Sequence, residues 1–205
     1  MAVPATKRPM RLIADSLTVH RGGLPVISGL SFAVSGGEGL AVTGPNGAGK
    51  STLLRALCGL LKPAGGTVRL EGAEGAAFHY LGHANGLKAA LTAAENLGFW
   101  RQFLDRPAAS VSDALQAVGL GRAAGLPAGQ LSAGQKRRLA IARLLVSRRP
   151  VWLADEPLSA LDASAEAMFA GLLENHLDDG GIAIVATHQA LGVRRLGPLR
   201  LGAAA

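Results

Sequence analysis

The sequence predicts an α/β fold with a mostly parallel sheet core, an antiparallel β part and a helical subdomain. Three observations predict it. Gly44-Pro45-Asn46-Gly47-Ala48-Gly49-Lys50-Ser51-Thr52 is a glycine-rich loop closing in Lys-Ser. It stands between an apolar run at Gly39–Thr43 and a helix-forming run at 53–58, the strand–loop–helix setting of a phosphate-binding P-loop. Two further runs, 151–154 and Ile182–Ala186, are apolar at every position, as strands covered on both faces must be. Helical stretches alternate with such runs, which predicts a parallel sheet with both faces covered and a P-loop NTPase core.

The elements follow in order. Residues 12–19 and 26–32 alternate well enough to be strands, and Arg21-Gly22-Gly23 supplies the turn between them. After the P-loop strand and helix, Lys62-Pro63-Ala64-Gly65-Gly66 stops the helix. Residues 67–70 and 77–81 read as short strands. From 91 to about 146 strand-like runs give way to Ala, Leu and Gln, which predicts a helical insert with helices at 110–118 and 134–146. The Ala- and Gly-rich stretch 122–129 is a loop. A helix at 164–177 joins the two buried strands, and the tail 203–205 is expected to be disordered. One domain over 8–202, with a helical subdomain at about 88–147, accommodates these elements.

Composition narrows the classes. The chain has 205 residues, 49% of them hydrophobic but only 4% aromatic, so Leu, Ala and Val must build the core. No stretch approaches the roughly 20 consecutive apolar residues that span a bilayer. The first ten residues show no apolar core of a secretory signal. The single Cys58 excludes an internal disulfide and reads as a small buried hydrophobe in a reducing compartment. Net charge is +7, which suits an anionic membrane surface or nucleic acid. The densest basic cluster is Lys136, Arg137, Arg138, Arg143, Arg148 and Arg149. No aromatic residues interleave with it, so nucleic acid is disfavoured and a solvated helix face is expected.

The P-loop states its chemistry. Small residues let the chain wrap closely around polyanionic oxygens, so that N–H groups point inward at phosphates. Lys50 supplies a point charge for the β- and γ-phosphates, and the Ser51 hydroxyl is a ligand for Mg²⁺. Asp155 closes a buried strand, where it can hold Mg²⁺ beside the P-loop. The adjacent Glu156 is placed to polarise an attacking water. Leu131-Ser132-Ala133-Gly134-Gln135 precedes a basic helix. It reads either as a second phosphate-directed helix start or as an ordinary N-cap on Ser132.

With these motifs in this order the chain resembles the ATP-binding-cassette (ABC) ATPases, over roughly 12–188. Their signature reads Leu-Ser-Gly-Gly-Gln, and Ala133 departs from it mildly. The resemblance implies that Ser132, Gly134 and Gln135 act on ATP held by a second copy of the chain. It implies that Ser159-Ala160-Leu161-Asp162 is the interface D-loop and that His188 contacts the γ-phosphate. Where the family carries a Gln near Mg²⁺ and water, this chain has His83. A neutral imidazole can accept a bond there and a protonated one cannot, so His83 is expected to make activity pH-sensitive, or else to face a partner protein. The family's adenine-stacking aromatic is replaced, with His20 and Arg21 the nearest candidates.

The short cassette, Tyr80-Leu81-Gly82-His83, Gly86-Leu87-Lys88 and Thr187-His188-Gln189 are similar to the haem-exporter ATPases of cytochrome c biogenesis. That likeness implies integral membrane subunits of the CcmB/CcmC type and a peripheral place on the cytoplasmic face of the inner membrane. No Cys-x-x-Cys-His is present, so no direct haem binding is expected. Residues 83–103 would face the membrane partner, with Leu97, Phe99, Trp100 and Phe103 forming either a docking groove or the insert's core. Three functions stay open: a transport ATPase, an ATPase that releases a carrier from a membrane complex, and a soluble ABC ATPase acting on nucleic acid or ribosomes.

Overall fold

The computed structural model describes residues 9–73 and 75–202; the tail 203–205 lies outside them. β1 (Arg11–Arg21) and β2 (Leu24–Ser35) form a hairpin across the glycine turn, and β1 also pairs with β4 (Gly65–Glu71), both antiparallel. β1 buries Leu12 and Ala14, then Leu17 and Val19. Strict alternation would turn the second pair outward. A register shift between Ala14 and Leu17, with Ser16 at φ 51°, restores them to the core face.

The second sheet is parallel throughout. Its order is β5 (Phe78–Leu81), β6 (Val151–Asp155), β7 (Ile182–Ala186), β3 (Gly39–Thr43) and β8 (Leu196–Arg200). β6 and β7 are buried at every residue, because the sheet is covered on both faces. Trp152, Ala154, Ala183 and Val185 join the helical core on one side. Val151, Leu153, Ile182, Ile184 and Ala186 join the antiparallel sheet and the P-loop helix on the other. β6 is not the neighbour of β3: β7 lies between them. The strand β8 was not expected, since Gly197 and Pro198 weaken its strand signal; at a sheet edge the missing proline N–H is tolerated.

α1 (Lys50–Leu57) ends with Cys58 as its C-cap, earlier than the Lys62–Gly66 breaker. Cys58 is therefore half-buried rather than a core residue. The helical part holds α2 (Ala93–Phe103), α3 (Val111–Ala117) and α4 (Ala133–Ala142), with 3₁₀ turns at Gly121–Ala123 and Ala128–Gln130. Each of these α-helices has a side-chain N-cap: Thr92, Ser110 and Ser132. α4 stops four residues short of the expected 146. α5 (Ala163–Asp178) is capped by Asp162, whose Oδ1 accepts from the Ala165 N–H at 2.8 Å.

Half of the basic cluster is not a solvated face: Arg148 is exposed and Lys136 and Arg138 are partly exposed, but the other three are buried. Arg137, Arg143 and Arg149 are 2%, 8% and 8% exposed, and their guanidinium groups donate to main-chain carbonyls. Arg143 reaches Tyr80 O at 2.9 Å and lies 4.7 Å over the Trp100 ring. Arg149 donates to Ala76 O and Leu104 O. The expectation failed for these three because loop carbonyls distant in sequence converge on this part of the helical insert and solvate the cations.

Candidate active site

The P-loop follows β3, Glu156 follows β6 and His188 follows β7, so all three meet at the carboxyl edge of the parallel sheet, where open α/β sheets bind ligands. The loop's backbone explains its glycines. Gly44, Gly47 and Gly49 have φ of 143°, 82° and 97°, conformations that side chains rarely adopt. Gly49 is the left-handed N-cap of α1, and a Cβ there would meet Val26 Cγ1 at 2.7 Å. Among the described residues no protein acceptor takes the N–H groups of Gly47, Gly49, Lys50, Ser51 or Thr52. That row of free donors at a helix start fits a triphosphate.

Lys50 is 8% exposed, and its Nζ donates to Gly44 O at 2.9 Å and Pro45 O at 3.2 Å. The same Nζ lies 3.1 Å from His188 Nε2, which lies 3.1 Å from Glu156 Oε1. One imidazole nitrogen cannot accept from Lys50 and donate to Glu156 at once. Glu156 Oε1 is buried with no aligned donor among the described residues, so Nε2 stands between the ammonium and the carboxylate and can serve only one of them at a time. Glu156 itself has φ 47°, a left-handed backbone that costs a non-glycine residue about 1 kcal/mol or more. Its N–H donates to Ala186 O at 2.9 Å.

Asp155 is 2% exposed. Ser51 Oγ donates to its Oδ1 at 3.0 Å, and the Tyr80 hydroxyl donates to its Oδ2 at 3.3 Å. Because β7 separates β3 from β6, it is α1, packed across β6 and β7, that brings Ser51 to Asp155. A hydroxyl and a carboxylate oxygen this close fit a hard cation that takes its other ligands from water and phosphate. No group of three or more His, Cys, Asp or Glu that could hold a metal ion stands together among the described residues. Tyr80 was not expected in the site. The signal was a tyrosine in a buried strand, whose hydroxyl must find a partner. Burial, ahead of the Asp155 charge, pushes its phenol above the ordinary range, so it stays a donor.

Other expected residues lie apart from this cluster. His83 is exposed after β5 and makes no hydrogen bond among the described residues. His20 and Arg21 are exposed at the end of β1. Ser132 caps α4, with its Oγ accepting from Gln135 N at 3.2 Å and Gln135 Oε1 accepting from Ser132 N at 2.8 Å. Among the described residues nothing accepts the Ser132 hydroxyl proton or the Gln135 amide hydrogens. Gly134 is fixed by a close approach: a Cβ there would lie 2.8 Å from Ala160 O. Leu97 is buried in the core, whereas Phe99 and Phe103 are 45% and 67% exposed. Those two rings stack at 5.7 Å, with Trp100 packed edge-on against both, so the four residues are not simply the insert's core.

A parallel-sheet P-loop fold with an Asp-Glu strand end, a closing histidine and a capped signature helix defines an ABC-type ATPase. Residues 27–159 match the family model described as ABC transporter, and the chain belongs to that family. It is 55% identical to the cytochrome c biogenesis ATP-binding export protein CcmA of Chelativorans sp., over 95% of this chain and 99% of that protein. It is also 55% identical to the protein of the same description from Rhizobium meliloti, over 89% and 93%. A solved dimeric ATP-binding cassette, in a post-hydrolysis state with ADP and Pi bound, superposes with TM-score 0.80. That pair shares 28% identity over 93% of this chain and 94% of the other. An ABC transporter ATP-binding protein from Pyrococcus furiosus shares the fold, with TM-score 0.82 at 22% identity over 93% and 97%.

Proposed function

We propose that this chain is the ATP-hydrolysing subunit of a membrane complex that drives haem export, or release of a haem-carrying chaperone, in cytochrome c biogenesis. The observation that carries the reading is the Lys50–His188–Glu156 chain of 3.1 Å contacts at the mouth of a donor-lined P-loop, in a chain 55% identical to cytochrome c biogenesis export proteins. The working unit extends over 8–202, with 88–147 as its helical subdomain.

The residues divide the reaction among them. The N–H groups of the Gly44–Thr52 loop, with Lys50 Nζ, bind and orient the triphosphate of ATP. Ser51 and Asp155 would hold Mg²⁺, and His83 is assigned to the same site by its position after β5. When bound, the metal offsets charge on the phosphate oxygens. The Glu156 carboxylate accepts a proton from the attacking water, and His188 steadies the γ-phosphate. Hydrolysis gives ADP and phosphate, mainly by positioning and electrostatic stabilisation. Ser132, Gly134 and Gln135 of a second copy close the site, and loss of the γ-phosphate reopens the pair. No helix among the described residues is long and apolar enough to cross a membrane. The chain docks peripherally on the cytoplasmic side, its Phe99–Phe103 aromatic patch facing integral subunits of the CcmB/CcmC type.

Glu156→Gln tests both halves. It is expected to lower kcat by about 100-fold or more while retaining ATP. Tagged in its native host and solubilised with ATP present, it should bring down the integral membrane subunits of cytochrome c maturation. Recovery of other permease subunits would keep the ATPase and overturn the cargo. Recovery of ribosomes or nucleic acid alone would overturn the membrane assignment.

A further inference from the structure

One buried cation joins the catalytic turn to two segments distant from it in sequence. Arg137 lies in α4, five residues beyond the Ser132 cap, and is 2% exposed. Its Nε donates to Pro157 O at 3.0 Å. Its Nη2 donates to Asp155 O and to Glu156 O, both at 2.8 Å. Its Nη1 donates to Gly82 O at 2.8 Å and to Asn85 Oδ1 at 3.2 Å. A guanidinium has five N–H donors in a fixed plane, and all are used. No carboxylate oxygen is among the acceptors. Burial lowers the Arg137 pKa to about 10, with the nearby Asp155 charge acting the other way, so the group stays charged at neutral pH.

The acceptors are the point. Three consecutive carbonyls, of Asp155, Glu156 and Pro157, turn toward one cation. Three carbonyls aligned side by side repel one another unless a donor stands between them. The middle residue, Glu156, is the one held at φ 47°. Its N–H is fixed by Ala186 O and its C=O by Arg137, so its backbone is clamped on both sides. This clamp determines where its carboxylate stands beside His188.

We propose that Arg137 is a positioning residue for ATP hydrolysis: it fixes the Asp155–Pro157 turn so that the Glu156 carboxylate meets the attacking water. The inference rests on the assignment of Glu156 as the base. Arg137 acts through Glu156, and its planar group also ties the turn to Gly82 and Asn85 after β5, so movement in that segment reaches Glu156 directly.

The test is a cycle on the full chain with γ-labelled ATP in single turnover and in the steady state, alongside binding of a fluorescent ATP analogue. R137K keeps the charge but directs three donors at most. It is expected to lower the hydrolysis rate about 10-fold or more while KM and analogue affinity stay within about twofold. The double variant R137K/E156Q should be no slower than E156Q alone. Wild-type hydrolysis by R137K, a rise in KM at unchanged kcat, or effects that multiply in the double variant would each overturn the inference. E156Q hydrolysing at the wild-type rate would remove the base assignment and this inference with it, whereas a slow E156Q with multiplying effects overturns the inference alone. Circular dichroism melts report folding. If R137K does not fold, N85A removes one acceptor only. It should slow hydrolysis a few-fold with analogue affinity retained, and no change in rate would count against the proposal.

Discussion

Among the described residues Asp155 makes no ion pair, and its carboxylate accepts from two hydroxyls instead, Ser51 on one oxygen and Tyr80 on the other. A neutral hydroxyl gives way to a cation more readily than an ammonium would, so the carboxylate is kept ordered yet available. Removing one donor leaves a buried oxygen short of a partner, which costs about 1–2 kcal/mol. Tyr80→Phe should therefore lower the unfolding free energy by that amount, seen as a lower urea midpoint at an unchanged slope. The free Oδ2 no longer has a fixed direction, so the Mg²⁺ concentration for half-maximal hydrolysis should rise a few-fold. An unchanged Mg²⁺ requirement would reduce Tyr80 to a packing residue. The sequence showed Asp155, Glu156, Lys50 and Ser51 as residues in motifs. It did not show Tyr80 or Arg137, because their partners lie 75 and 18–55 positions away and only the sheet order brings them together.

At the scale of elements, β1 to β7 were all legible in the sequence, β6 and β7 most sharply because an apolar run buried on both faces leaves no ambiguity of phase. β1 needed a bulge that no alternation rule announces, and β8 hid behind Gly197 and Pro198. The helices at 110–118, 134–146 and 164–177 were legible through their composition, whereas α2 was covered only by the helical insert as a whole. α2 shows how a cap joins a loop to its helix. The Thr92–Glu95 capping box starts it, and Asn96, 3% exposed, then fastens the preceding loop. Its Oδ1 accepts from Lys88 N at 2.8 Å, and its Nδ2 lies within 3.1 Å of the carbonyls of Lys88, Leu91 and Thr92. Asn96→Ala strands these buried groups and should cost about 2–3 kcal/mol. Hydrogen exchange should rise through 85–95 while the P-loop stays protected and the nucleotide affinity is kept. Uniform loss of protection would mean that the loop and the sheet open as one unit.

The whole molecule carries an acid-sensitive layer away from the nucleotide site. His79 in β5 has Nε2 3.0 Å from Ser147 O, and His176 in α5 has Nε2 3.1 Å from Ile182 O while stacking on Trp152 at 4.0 Å. Burial, the largest cause, lowers both pKa values to about 4, and the Arg143 and Arg149 charges add to it at His79. Between pH 4 and about 6.5 the unfolded chain therefore binds more protons than the native one, and stability rises with pH across that window. It is fully present above about 6.5 and is lost as pH falls toward 4. At pH 5 each histidine should cost on the order of 2 kcal/mol relative to neutral pH. A net charge of +7 adds general acid lability, so the comparison must be internal. Urea unfolding of the wild type and of His79→Gln and His176→Gln at pH 7.5 and 5.0 isolates the effect. Each substitution should shrink the pH-dependent loss by roughly 2 kcal/mol, whatever it does to stability at pH 7.5. Parallel pH dependences in all three proteins would mean that these imidazoles reach water in the native state.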